Sequence, residues 1–464
     1  MISIVGALAA CGTDAVPPLE TAAPGVIFTY PVDGQLDVPL GARIVATFSD
    51  DVVPGSLGAC SGSAPAISGA FCLVGPSGPL DTMAEVVGTK TVVFAAAELD
   101  PGTPYELYVQ SAISPSATNL PASGPLLRFT TRAAQPSSRG PAVIAVNGAD
   151  PTHLMDRPMY ETTTIRLVFS EPLDPRTVAL AQGSIELVDV ASGEAVPARL
   201  VTKGIHVSLD PIDDLTAGAS YEVRLGNKLA DLSGRALTPI AFTLVPTNSL
   251  GTGAIPQILR TRQPGDPGPA SSRSGAKPNV IVISKPLIGD ESVTLQPGAI
   301  HAELGDPTAL DGPIAFTIRR GARLGASGLD VKLGGTIPAG LRTGDVQIEF
   351  LTDGGGRLYR NRYQPAEQTP DNTRAPLYVD LTFDVAISAI DPTGNAAVAQ
   401  TVLNVQATGT AIATDGVLAI EAVAAMDFDL LGVTEAPTNL VFELIVDPTA
   451  TVPTDTTPPV LVAS

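Results

Sequence analysis

Thr164-Ile165-Arg166-Leu167-Val168-Phe169-Ser170-Glu171-Pro172-Leu173-Asp174-Pro175 is the stretch whose reading decides the fold. Ile165, Leu167 and Phe169 alternate with Arg166 and Ser170, the period of two expected for a strand buried on one face. Pro172 lacks the N–H that a ladder needs, and Asp174-Pro175 starts a turn, so the strand ends there. The same phrase occurs upstream as Ile44-Val45-Ala46-Thr47-Phe48-Ser49-Asp50-Asp51-Val52. It returns downstream as Ile281-Val282-Ile283-Ser284-Lys285-Pro286-Leu287. Ser49, Ser170 and Ser284 therefore mark a tandem repeat at the scale of whole domains. The repeat speaks to architecture, and none of its residues identifies a reaction.

A chain of 464 residues has room for about three domains of roughly 150 residues each. Hydrophobic residues make up 44%, so the 45 Gly and 43 Pro read as turns between many short strands rather than as disorder. With 12 Phe, 8 Tyr and no Trp, the cores should be aliphatic. The formal net charge of −20 disfavours nucleic acid and anionic lipid headgroups as partners. Divalent cations stay open as partners, though the plainer role of acidic charge is solubility.

Outward from the phrase, the second copy runs from 141 to 247. Leu215-Thr216-Ala217-Gly218-Ala219-Ser220-Tyr221 forms a turn into a strand that alternates through Val223 and Leu225. Asp231-Leu232-Ser233-Gly234-Arg235 is a polar turn, and Ala241-Phe242-Thr243-Leu244 closes the copy. The first copy, 25–132, has the same landmarks: strands at 43–48 and 91–94, the turn Leu99-Asp100-Pro101-Gly102-Thr103-Pro104-Tyr105, and the closing Leu127-Arg128-Phe129-Thr130-Thr131. In this order these landmarks resemble the bacterial Ig-like domain of S-layer and other cell-surface proteins. The first copy lacks the Asp-x-x-Gly turn, and Arg235 stands where that family usually has Asn. The resemblance implies an all-β chain of tandem Ig-like β-sandwiches and offers no catalytic residue to carry over.

The third copy, 254–447, is expected as a divergent, enlarged sandwich of the same kind. Leu377, Val379, Leu381, Phe383, Val385 and Ile387 alternate with Tyr378, Asp380, Thr382, Asp384 and Ser388, the cleanest amphipathic strand in the chain. Asp391-Pro392-Thr393-Gly394-Asn395 matches the family's Asp-x-x-Gly-Asn turn. Residues 417–428 and 440–446 read as two further β-rich runs, with a helix over Leu418 to Met426 as the alternative, since Ala and Glu favour helices. Residues 448–464 are either a tail that docks as a last strand or the start of a further repeat.

Leu8-Ala9-Ala10-Cys11, after an apolar run, resembles the lipobox of bacterial lipoproteins. The run is short and has no basic flank, which a start placed too far downstream would explain. The resemblance implies a truncated signal peptide, a lipid on Cys11 and, with Gly12 following, an outer-membrane lipoprotein facing the cell surface. Residues 12–24 then form a Pro/Ala/Thr tether. Cys60 and Cys72 flank a Ser/Gly/Ala-rich loop, and in an oxidising compartment they read as a disulfide. Closing a loop of this size stabilises a domain by about 2–3 kcal/mol in the chain-entropy model.

Chemistry is sparse. His206 alternates with Ile205 and Val207, a surface or rim position, and His153 and His301 lie in other elements. No metalloprotease, nucleophile-elbow or phosphate-loop pattern occurs. We therefore expect no enzyme, no cofactor and no resident metal. The expected role is a structural or protein-interaction scaffold whose partner is the membrane through Cys11, together with an unidentified protein or surface polymer. The third copy is where a binding face is expected. The alternatives are an adhesion module binding glycan or Ca²⁺ (at a cluster of Asp150, Asp156, Asp213, Asp214 or Asp231) and the accessory domains of a larger secreted enzyme.

Overall fold

The computed structural model describes residues 25–446 apart from short stretches, the longest of which are 133–139, 263–278, 306–312 and 361–376. Cys11, the tether and the 448–464 segment lie outside the described residues. Its regular secondary structure is almost entirely strand.

The first unit is a sandwich. Val26–Tyr30, Ile44–Phe48, Thr91–Phe94 and Ala84–Val87 form one sheet in that order. Gln35–Val38, Leu127–Thr131, Pro104–Val109, Phe71–Gly75 and Gly78–Pro79 form the other. Phe28, Phe48, Leu73, Leu107 and Phe129 fill the space between them. The core is less aliphatic than composition implies, because the few aromatics gather here. Phe71 stacks on Phe94 at 5.0 Å and Tyr105 on Phe129 at 5.6 Å.

The second unit repeats this plan. Val143–Val146, Ile165–Phe169, His206–Pro211 and Ala198–Lys203 face a sheet of Ile185–Asp189, Tyr221–Leu225 and Ile240–Leu244. Leu167, Phe169, Leu187, Leu209, Val223 and Phe242 form its core. The landmark turns do the same work in both copies. The Tyr105 hydroxyl accepts the Asp100 N–H at 2.8 Å, and the Tyr221 hydroxyl accepts the Thr216 N–H at 2.9 Å. Each tyrosine thus buries its ring in the core and ties the incoming turn to the strand. Glu171 of the opening phrase is buried and takes a hydrogen bond from Arg235 at 2.8 Å, while Arg235 also binds Asp231. The arginine that departs from the family pattern therefore supplies the counter-charge for two carboxylates.

The third unit departs from the expected sandwich. Ile255–Thr261, Ala299–Leu304, Ile314–Ile318, Gly354–Tyr359, Leu377–Ala389, Gln400–Thr414, Val417–Leu430 and Val433–Val446 join in that order through antiparallel ladders. The last strand then pairs back onto the first, Leu259 with Val446 and Thr261 with Leu444. The result is a closed, eight-stranded, up-and-down barrel. Two hairpins attach to it: Val280–Lys285 with Gly289–Thr294, and Arg323–Ala326 with Val346–Phe350. Strand length makes this arrangement feasible. The 13-residue Leu377–Ala389 strand pairs with Gly354–Tyr359 through Thr382 and with Val346–Phe350 from Val385 onward. The Ile281 phrase consequently belongs to an attached hairpin and is no counterpart of Ile165–Phe169. Of the two readings of residues 417–428, the β-rich run holds and the helical alternative does not: Val417–Leu430 is a strand, because the ladders on both sides outweigh helix propensity. One local expectation changes. Asp391-Pro392-Thr393-Gly394-Asn395 enters a short helix, Pro392–Val398, with the Asp391 carboxylate accepting the Gly394 N–H at 3.0 Å.

Candidate functional site at the junction of the three units

The amphipathic Leu377–Ala389 strand explains how the units meet. Val379, Leu381, Phe383, Val385 and Ile387 point into the barrel core with Ile300, Phe316 and Leu358. On the opposite face, polar in sequence, Tyr378 and Asp384 are buried against the two sandwiches, while Asp380, Thr382 and Ser388 are half-buried. Tyr378 stacks against Phe28 at 6.0 Å, and its hydroxyl donates to the Thr29 carbonyl at 2.6 Å while accepting the Thr29 N–H at 3.1 Å. Asp384 is fully buried and meets Arg166 of the second sandwich at 3.1 Å. Arg166 also donates to Thr352 Oγ1 at 3.0 Å and the Asp353 carbonyl at 2.8 Å, and Thr352 Oγ1 donates to Asp384 at 2.6 Å. All five residues of Ile165–Phe169 are buried for this reason: one face lies in the sandwich core and the other lies against the barrel.

Beside this pair, Asp210 receives hydrogen bonds from Thr164 Oγ1 at 2.8 Å and from Arg320 at 3.1 Å. Burial and the neighbouring Asp353 carboxylate raise the Asp210 pKa above its ordinary value. Arg319 bridges Asp214 of the second sandwich to Asp353 of the barrel, 2.8 Å from each.

One carboxylate joins all three units. Asp37 of the first sandwich is buried, with a φ of 58°. Its Oδ2 accepts from His206 Nε2 of the second sandwich at 2.7 Å and from Asn404 Nδ2 of the barrel at 3.2 Å. Its Oδ1 accepts from Arg132 at 3.1 Å. Burial alone would raise the Asp37 carboxyl, but Arg132 and His206 outweigh it and hold the group down at about 2. Asn404 is also left-handed, at a φ of 55°, a conformation that Asp and Asn tolerate better than most residues. His206 is thus 8% exposed at an interdomain junction, not at the rim its alternation implies.

Residues 20–131 and 140–244 each match the bacterial Ig-like domain. The barrel lies outside both matches. Over 484 aligned residues the chain is 28% identical to alkane uptake protein B of Marinobacter nauticus, covering 94% of this chain and 43% of that protein. The chain therefore spans less than half the length of this curated relative.

Between the two Ig-like domains and the barrel lies a cleft of about 250 Å³. Arg132 comes from the first domain, Pro172, Lys203, Ile205 and His206 from the second, and Leu403 and Met426 from the barrel. Pro172 belongs to the repeated phrase of the second copy, so the landmark turn ends at this cleft.

Of the residues singled out in the sequence, Cys60 and Cys72 are bonded, with sulfurs 2.07 Å apart. Of the aspartates considered for Ca²⁺, Asp231 is taken by Arg235 and Asp214 by Arg319, Asp150 binds its own turn through Thr152, Asp213 is exposed, and Asp156 lies outside the described residues. Among the described residues no three His, Cys, Asp or Glu side chains group as metal ligands, and no helix is long and apolar enough to cross a membrane. Asp37, Arg166, Asp384 and Asn404 carry the junction; alternation marks Arg166 and Asp384 as facing away from their own cores, and no local motif singles out Asp37 or Asn404.

Proposed function

We propose that the protein is a non-enzymatic, extracytoplasmic scaffold, held at the outer membrane by a lipid on Cys11, that serves the uptake of hydrocarbons or similarly apolar compounds. One observation carries the scaffold reading: buried charge pairs and hydrogen bonds fix two Ig-like domains onto a barrel. Such contacts hold a defined geometry because breaking any of them leaves a buried charge without its partner. The Cys60–Cys72 bond fits an oxidising, extracytoplasmic compartment. The uptake reading draws on the name of the Marinobacter nauticus relative.

The test is a strain lacking the gene, supplied with a long-chain alkane or with acetate as carbon source. Impaired growth and alkane accumulation, restored by the wild-type gene and not by Cys11→Ser, support both halves of the reading. Normal alkane uptake in the deletion strain would refute the uptake role. Unchanged membrane fractionation of Cys11→Ser would refute the anchor.

A further inference from the structure

The joint between the second Ig-like domain and the barrel poses a question of hydrogen count at Thr164. Thr164 is fully buried, and its Oγ1 stands 2.8 Å from Asp210 Oδ1 and 2.9 Å from the Asp353 carbonyl oxygen. A threonine hydroxyl has one hydrogen to donate. With Asp210 ionised, both neighbours are acceptors, and one of the two close oxygen pairs has no hydrogen between its members. The Asp353 carbonyl also accepts from Arg166 Nη2 at 2.8 Å, but that bond supplies nothing to its contact with Thr164. A proton on Asp210 Oδ1 closes the chain. The Asp210 O–H then donates to Thr164 Oγ1, and Thr164 donates to the Asp353 carbonyl. Asp210 Oδ2 still accepts from Arg320 Nη1 at 3.1 Å, and Oδ1 keeps a lone pair toward the Asp353 N–H at 3.4 Å.

The surrounding charges point the same way. Asp210 is 1% exposed and has the Asp353 carboxylate beside it across the joint. Arg319 is shared by Asp214, Glu303 and Asp353, and Arg166 is bonded to Asp384. Arg199, opposite Asp210 in the ladder, is exposed, and His206, on the same strand as Asp210, is bonded to Asp37. Arg320 does reach Asp210, but it divides its donors between that carboxyl and the Pro211 and Ile212 carbonyls. Burial and the Asp353 carboxylate outweigh Arg320, so the Asp210 carboxyl titrates above its ordinary value of 3.8.

We propose that Asp210 holds a proton in this joint, so that acidification fastens the second Ig-like domain to the barrel and rising pH loosens it. Losing that proton to solvent leaves Thr164 between two acceptors and sets a second buried carboxylate beside Asp353. A group whose folded value lies above its unfolded value contributes stability that is complete below the unfolded value. That contribution is lost as pH rises through the folded value, the opposite sense to Asp37.

Carbon-13 NMR of the full chain, with the Asp210 carboxyl carbon assigned through its bonds to the backbone, tests the proposal in the wild type. The signal should titrate with a midpoint above 3.8, and a midpoint at or below 3.8 would overturn the proposal. Denaturant unfolding of wild type and Asp210→Asn gives a second readout. The amide resembles a protonated carboxyl, so Asp210→Asn should match or exceed wild type at about pH 8, and its advantage should shrink toward about pH 4. Asp37 titrates in both proteins and drops out of the difference. A variant less stable than wild type at pH 8, by an amount that stays constant with pH, would make ionised Asp210 a plain partner of Arg320 and overturn the proposal.

Discussion

Arg166 lies on the strand that defines the repeat, and its guanidinium is 3% exposed against a fully buried Asp384. Removing one partner of such a pair leaves the other charged in a dry interface, so Arg166→Ala should cost about 3–5 kcal/mol. Asp384→Ala should cost a similar amount, and the double variant less than the sum of the two, measurable by denaturant unfolding in a double-mutant cycle. Period-two alternation reports that Arg166 leaves its own core; it cannot tell water from the polar face of another domain. Asp37, His206 and Asn404 were less legible still, because they lie far apart in sequence and meet only through docking. Asp37 also gives the junction a pH dependence. Its carboxyl is lowered from 3.8 to about 2, so its contribution is complete above the unfolded value and is lost as pH falls through the folded one. The stability difference between wild type and Asp37→Asn should be constant above that window and shrink toward pH 2. A constant difference across the whole range would remove Asp37 from the account.

Among the elements, the long barrel strands carry most of the order, and their ladder leaves little room for side chains at certain positions. A Cβ on Gly409 would stand 1.8 Å from the Glu421 carbonyl oxygen and 2.6 Å from the Ala422 Cα, both backbone atoms in the facing strand. Gly409→Val should therefore force Gln400–Thr414 away from Val417–Leu430 and cost at least about 2 kcal/mol, with loss of amide-exchange protection confined to the barrel. In the first Ig-like domain, Cys60→Ser with Cys72→Ser should lower stability by about 2–3 kcal/mol, read as a lower midpoint of the single whole-chain transition. Element type was largely legible in the sequence. The inward set of the 377–389 strand and the tyrosine turns came directly from alternation and turn chemistry. Barrel closure was not legible, since Leu259 and Val446 pair across almost the whole unit and neither carries a local signal of its partner. The phrase at Ile281 misled for a related reason: a short apolar run followed by Lys-Pro fits an attached hairpin as well as a sandwich strand.

At the scale of the whole molecule, the account rests on two Ig-like domains and a barrel forming one body through buried polar contacts centred on Asp37 and on Arg166 with Asp384. Tandem domains joined only by linkers unfold independently, whereas units that share a buried interface unfold together. The cleft and the surface offered to any partner both depend on that shared interface. Differential scanning calorimetry of the full chain, wild type against Arg166→Ala, tests it most directly. The account predicts one cooperative transition for wild type and its separation into distinct domain transitions in the variant. Separate domain transitions already in wild type, or an unchanged trace for Arg166→Ala, would contradict it.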